Sequence, residues 1–282
     1  MKHIFELCAF ADEADLQIEE QVKALSANGI KYLEIRGVNG KNISEVTADE
    51  AKNVGRMLAD SGHEVWSIGS PTGKMKITED FMPHFDSFKH MLELADILGT
   101  KHYRLFSFFG VREAGGRARD LAMEYLQRFI DEAKGSEIIL CHENEKEIYG
   151  EMAKECLEIH KTFPEIKAIF DPANFIQAEQ DTKEAWALLH PYVEYMHIKD
   201  STRNKKIVPA GCGDGNLAYL INEFGKGGGK VLSIEPHLTV FKGFEALENK
   251  NDLKNIFTYP SSREAFDAAA SALKKIIERT ET

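Results

Sequence analysis

The sequence predicts an α/β protein built as a single (β/α)8 TIM barrel over residues 1–282. Segments with strand-like and helix-like patterning alternate eight times, and 282 residues give about 35 per pair, the size of one βα unit. Four successive apolar runs in the second half each end on a side chain able to ligate a metal, as barrel strands do when they deliver chemistry to one rim. No linker or shift in composition divides the chain, so one domain accounts for all of it.

The first strand is Ile4 to Ala9. From Asp12 to Asn28, Ile18, Val22 and Leu25 recur at the spacing of an amphipathic helix, which Gly29 stops. Tyr32 to Arg36 is the second strand, followed by the turn-rich Gly37 to Gly40. Thr47 and Glu50 form a capping box for a helix that runs to Ser61 and stops at Gly62. Glu64 to Ile68 is the third strand, and a helix from Asp80 to Leu98 stops at Gly99. Tyr103 to Phe108 is the fourth strand, and Arg119 to Ala133 is a helix with Leu121, Tyr125 and Phe129 on one face. The next four strands are the short apolar runs Glu137–Glu143, Ile166–Asp171, Val193–His197 and Lys230–Glu235. Helices near Glu151–Phe163, Thr182–Leu189, Leu217–Phe224 and Arg263–Ile277 follow them in turn. The longest irregular stretches, Ser201 to Asn216 and His237 to Thr258, follow the seventh and eighth strands, on the face where such barrels keep their sites.

Composition narrows the function classes. With 35 basic and 46 acidic residues the net charge is -11, which repels phosphate backbones and anionic lipid and argues against a nucleic-acid or membrane partner. No run approaches the roughly 18 apolar residues that span a bilayer. Glu6 and Asp12 interrupt the first apolar run, which makes it a poor signal peptide. Cys8, Cys141, Cys156 and Cys212 are scattered without a CxxC pair, as expected of reduced thiols in a cytoplasmic protein.

The chemistry gathers at Glu143, Asp171, His197 and Glu235, one at the C-terminal end of each of the last four strands. A lone glutamate at a strand end is ordinarily a solvated loop residue. Here three carboxylates and an imidazole end neighbouring strands, and that donor set suits one divalent ion such as Mn²⁺, Mg²⁺, Co²⁺ or Zn²⁺. Alternation along a strand adds Lys199, on the face of His197, and His237, on the face of Glu235. Arg36, Trp66 and Arg104 lie near other strand ends, where guanidinium groups and an aromatic wall suit a sugar.

The stretches His142-Glu143-Asn144-Glu145, Phe170-Asp171-Pro172-Ala173-Asn174, His197-Ile198-Lys199-Asp200 and Ile234-Glu235-Pro236-His237, in this order, resemble the xylose-isomerase-like barrel superfamily. That superfamily holds sugar isomerases, ketose 3-epimerases, hydroxypyruvate isomerases and inosose dehydratases. The loop Pro209 to Gly215 is similar to the Gly-rich loop these proteins carry after strand seven. The resemblance implies that Glu143, Asp171, His197 and Glu235 bind one metal ion and that Glu143 and Glu235 are catalytic, one removing a proton from the substrate carbon and the other returning it. It further implies a substrate contact from Arg203, six residues after His197. The family often has a histidine three residues after the metal aspartate; here Asn174 stands there and takes its place among the substrate-binding candidates. Family members are often dimers or tetramers, so a homo-oligomer is expected on the same ground.

The expected function is therefore a divalent-metal-dependent isomerase or epimerase of a small sugar or polyol derivative, working through an enediolate. A lyase or dehydratase of a keto-sugar or keto-inositol would begin with the same step, with His237 or Lys199 acting on the leaving group. A DNA-repair endonuclease of the same superfamily would need further His and Asp ligands, and Ser201 to Asn216 contains no histidine. A non-catalytic sugar-binding barrel would be marked by a lost ligand, and all four are present.

Overall fold

In the computed structural model, which describes residues 5–238 and 258–280, eight parallel strands close into a barrel. They are β1 (Glu6–Ala9), β2 (Tyr32–Ile35), β3 (Glu64–Ile68), β4 (His102–Leu105), β5 (Ile139–Glu143), β6 (Lys167–Phe170), β7 (Val193–Ile198) and β8 (Val231–Ile234). Each pairs with its neighbour in sequence, and β8 pairs with β1 to close the ring. The covering helices are α1 (Ile18–Ala27), α2 (Ala48–Asp60), α3 (Phe81–Ile97), α4 (Ala118–Ala133), α5 (Ala153–Thr162), α6 (Thr182–Leu189), α7 (Leu217–Lys226) and α8 (Ser262–Thr280).

Local chemistry sets these elements. Thr47 and Glu50 cap α2 reciprocally, each side chain accepting from the other's backbone N–H. Gly62 ends it at φ +78, where a side chain would be strained. The helices bury their apolar faces on the outside of the barrel; Phe81, Phe85 and Phe88 of α3, for example, pack on Phe129 of α4. No helix among the described residues is long and apolar enough to cross a membrane.

Four departures from the sequence expectation bear on the rim. First, α1 starts at Ile18 rather than Asp12: Ala11–Glu13 is a 3-10 turn, and Asp12 and Glu13 turn inward, drawn by the buried Arg36 guanidinium. Second, β4 ends at Leu105 rather than Phe108. Phe106 and Phe108 leave the sheet to donate to Thr72 and Gly73 carbonyls of the loop after β3, with Phe108 at φ 71. That lacing needs glycine at 73, because a Cβ there would collide with the Phe106 carbonyl. Third, a short helix, Pro172–Gln177, follows β6 directly, with the Asp171 side chain capping it through the Asn174 N–H. Fourth, the loop after β7 contains an antiparallel hairpin, Asp200–Ser201 with Ile207–Val208. The Asp200 carboxylate accepts the backbone N–H groups of Ser201, Gly211, Gly213 and Gly215, and so folds the Gly-rich loop around itself. The long stretch expected after the eighth strand, from His237 to Thr258, falls mostly outside the described residues.

Candidate active site

Glu143 ends β5, Asp171 follows β6, His197 is the fifth residue of β7 and Glu235 follows β8. All four are buried, and one ligand atom from each lies within 4.8 Å of every other. Donors around one ion at about 2.1 Å sit up to roughly 4.2 Å apart, so a contraction of about half an ångström would gather this set. Asp171 Oδ2 accepts no hydrogen bond among the described residues and meets Lys199 Nζ at 2.9 Å. His197 directs Nδ1 toward Glu143 at 3.0 Å and Glu235 at 3.6 Å, while Nε2 faces Glu34 at 3.1 Å. A carboxylate behind the second ring nitrogen is the arrangement that fixes a ligating histidine. The residues present therefore fit a divalent ion.

Glu34, in the middle of β2, is fully buried and reaches across the barrel interior. Its Oε2 accepts from Ser233 at 2.7 Å as well as facing His197, and its Oε1 accepts from Tyr195 at 2.8 Å. Arg104 binds Glu143 at 3.1 Å and approaches Glu235 at 3.6 Å, which ties the two glutamates together. Arg36 holds Glu235 at 3.0 Å, Asp12 at 2.9 Å and Glu13 at 3.2 Å. Lys199 bridges Asp171 and Glu235, the latter at 3.2 Å. His237, at φ 47, donates its N–H to Glu13 and places Nε2 3.5 Å from Glu235.

Among the described residues, the carboxylates of Asp12, Glu13, Glu34, Glu143, Asp171 and Glu235 thus outnumber the fixed cations Arg36, Arg104 and Lys199. The titration of the site's histidines follows. Burial pushes His197 down, but the Glu143 and Glu34 carboxylates prevail and raise it to about 10. Burial likewise opposes His237, which Glu13 and Glu235 raise to about 9. Burial raises Asp171 against the pull of Lys199. Burial works the same way on Glu235, yet Lys199 and His237 hold it well below the usual carboxylate range.

Among the residues expected at the site, Glu143, Asp171, His197, Glu235, Lys199, His237, Arg104 and Asn174 come together. Asn174 donates to the Asn144 carbonyl at 2.9 Å and lies 3.4 Å from Glu143, and its buried Oδ1 meets no hydrogen-bond partner among the described residues. Trp66 does not join them. It stacks on His102 at 4.0 Å and packs on Tyr195 inside the lower barrel, and it lines a cavity of about 290 Å³ at the opposite, N-terminal end of the strands. Two residues short of its strand end, it sits too deep to wall the rim. Arg203 lies on an exposed turn of the hairpin after β7, where its N–H binds Asp214, and among the described residues its side chain makes no contact with the four candidate ligands. Sequence reasoning did not single out Glu34, Asp12 or Glu13. The one available signal was a charged residue, Glu34, sharing a strand face with Arg36.

The description xylose isomerase-like TIM barrel belongs to a family model that matches residues 22–248. No curated protein sequence matches the chain significantly. Among solved structures, an L-ribulose 3-epimerase is 18% identical with a TM-score of 0.77, over 98% of this chain and 95% of that one. A probable 3-DHS dehydratase from Bacillus anthracis is 15% identical with a TM-score of 0.73, over 96% of this chain and 98% of the other. A xylose isomerase-like TIM barrel protein from Mycobacterium smegmatis in complex with magnesium is 16% identical with a TM-score of 0.67, over 96% and 98%. At such identities the structural likeness speaks to fold alone, whereas the family model spans most of the chain. The chain belongs to the xylose isomerase-like TIM barrel family.

Proposed function

We propose that this protein is a divalent-metal-dependent isomerase or epimerase of a small sugar or polyol derivative. The observation that carries the reading is the convergence of Glu143, Asp171, His197 and Glu235 within 4.8 Å at the C-terminal rim of the barrel. An ion held there would stabilise the negative charge that builds on a substrate carbonyl oxygen when the neighbouring C–H is deprotonated. Glu143 and Glu235 supply two carboxylates, one to take the proton and the other to return it to the enediolate. Arg104 fixes both in place, and Asn174 and Lys199 are poised for substrate oxygens beside them. Mn²⁺ is our first choice of ion.

The test is solvent deuterium uptake into a panel of ketoses and aldoses, with Mn²⁺, Mg²⁺, Co²⁺ or Zn²⁺ present. We expect uptake at one carbon of at least one sugar, abolished in Glu235→Gln. No uptake across the panel would overturn the reading. A lyase on the same site is the second reading, favoured by His237 Nε2 beside Glu235, where a proton donor could meet a departing hydroxyl. Accumulation of an unsaturated product, rather than an epimer, would select it.

A further inference from the structure

The two carboxylates most open to an ion are the two that Lys199 already holds. Asp171 spends Oδ1 on the Asn174 N–H, which leaves Oδ2, and Lys199 Nζ lies 2.9 Å from that atom. Glu235 spends Oε1 on Arg36 at 3.0 Å, which leaves Oε2, and Lys199 Nζ lies 3.2 Å from it. The ammonium therefore sits between the same oxygens that a divalent ion would take. Lys199 is held there by the chain: it lies two residues beyond His197, on the same inward face, and is 3% exposed.

We propose that Lys199 is an internal counter-ion that competes with the divalent ion for Asp171 and Glu235, and so sets how tightly the ion is held. The inference rests on the metal-dependent reading above. Buried carboxylates facing one another cannot stay ionised without a cation between them. The Lys199 ammonium provides that cation whenever the ion is not bound, and so keeps the rim folded. An ion on those two oxygens would lie within about 5 Å of Nζ, where repulsion in a dry site is large. Lys199 thus weakens ion binding in exchange for a site that survives without it.

The experiment is calorimetric titration of the full chain with Mn²⁺ for wild type, Lys199→Met and Lys199→Gln, beside thermal melts with and without Mn²⁺. Both variants remove the charge and keep an unbranched side chain in its place. We expect both to bind Mn²⁺ tighter than wild type by tenfold or more, on the order set by one buried charge. We also expect both to melt lower without Mn²⁺ and to gain more from its addition. A variant that folds only with Mn²⁺ present would support the proposal as well. Equal or weaker binding in both folded variants would overturn it, and so would failure of both to fold with Mn²⁺ present. No Mn²⁺ binding by wild type or either variant would instead overturn the metal-dependent reading on which the proposal stands.

Discussion

Replacing Glu34 by alanine tests whether the barrel interior is organised as the contacts indicate. The change strips one acceptor from three donors at once: His197 Nε2 at 3.1 Å, Ser233 at 2.7 Å and Tyr195 at 2.8 Å. All four side chains are fully buried, so water cannot replace the lost carboxylate without entering the core. Orphaning a buried donor costs about 1–3 kcal/mol, and breaking a buried ion pair about 3–5 kcal/mol. The contributions overlap, and a loss of about 5 kcal/mol is expected, which lowers Tm by roughly 10–20 °C in a chain of this size. Glu34→Gln should cost less, about 3 kcal/mol, because it breaks the ion pair with His197 but keeps an acceptor for the buried donors. Its amide oxygen can take the place facing His197 and Ser233, while the Tyr195 hydroxyl rotates to accept from the amide nitrogen and donates to Ser67 instead, now 3.2 Å away. The assay is thermal and urea denaturation of the metal-free protein at neutral pH. A loss below about 1 kcal/mol in Glu34→Ala, or equal losses in the two variants, would refute the reasoning, because three buried donors cannot lose their acceptor at no cost.

Other outcomes follow from the same physics. Asp200→Asn replaces one acceptor oxygen by a donor facing the backbone N–H groups of the Gly-rich loop, and should cost about 2–4 kcal/mol with faster proteolysis between residues 209 and 216. His160 is buried against Tyr192 and depressed by burial to about 4. The unfolded chain takes up that proton first, so stability is retained above about pH 6.5 and falls by about 3 kcal/mol as pH drops toward 4. Urea titrations across that window should show a flatter acid limb in His160→Gln. Trp66→Phe should leave ion affinity and deuterium uptake unchanged while lowering Tm, since Trp66 lies on the far side of the barrel from the rim.

The four candidate ligands were legible because each closes an apolar run and the runs are neighbours, so chain order alone gathers Glu143, Asp171, His197 and Glu235 at one rim. Lys199 and His237 were legible from alternation, which in a strand fixes the face. What was not legible depends on contacts across the barrel. Glu34 looks like any glutamate in a strand until β2 and β7 face each other over the interior. Asp12 and Glu13 read as an acidic first helical turn, and their inward course is set by Arg36, distant in sequence. Trp66 was misjudged in depth, because strand faces can be read from sequence but layers cannot. The setting of Arg203 was not legible, because its spacing from His197 carries no information about the hairpin whose exposed turn holds it.

The most direct test of the account is elemental analysis of the purified protein after incubation with each candidate ion, beside Asp171→Ala. The account predicts about one divalent ion per chain in the wild type and a large loss in the variant. No bound ion in the wild type under any of these conditions would contradict it.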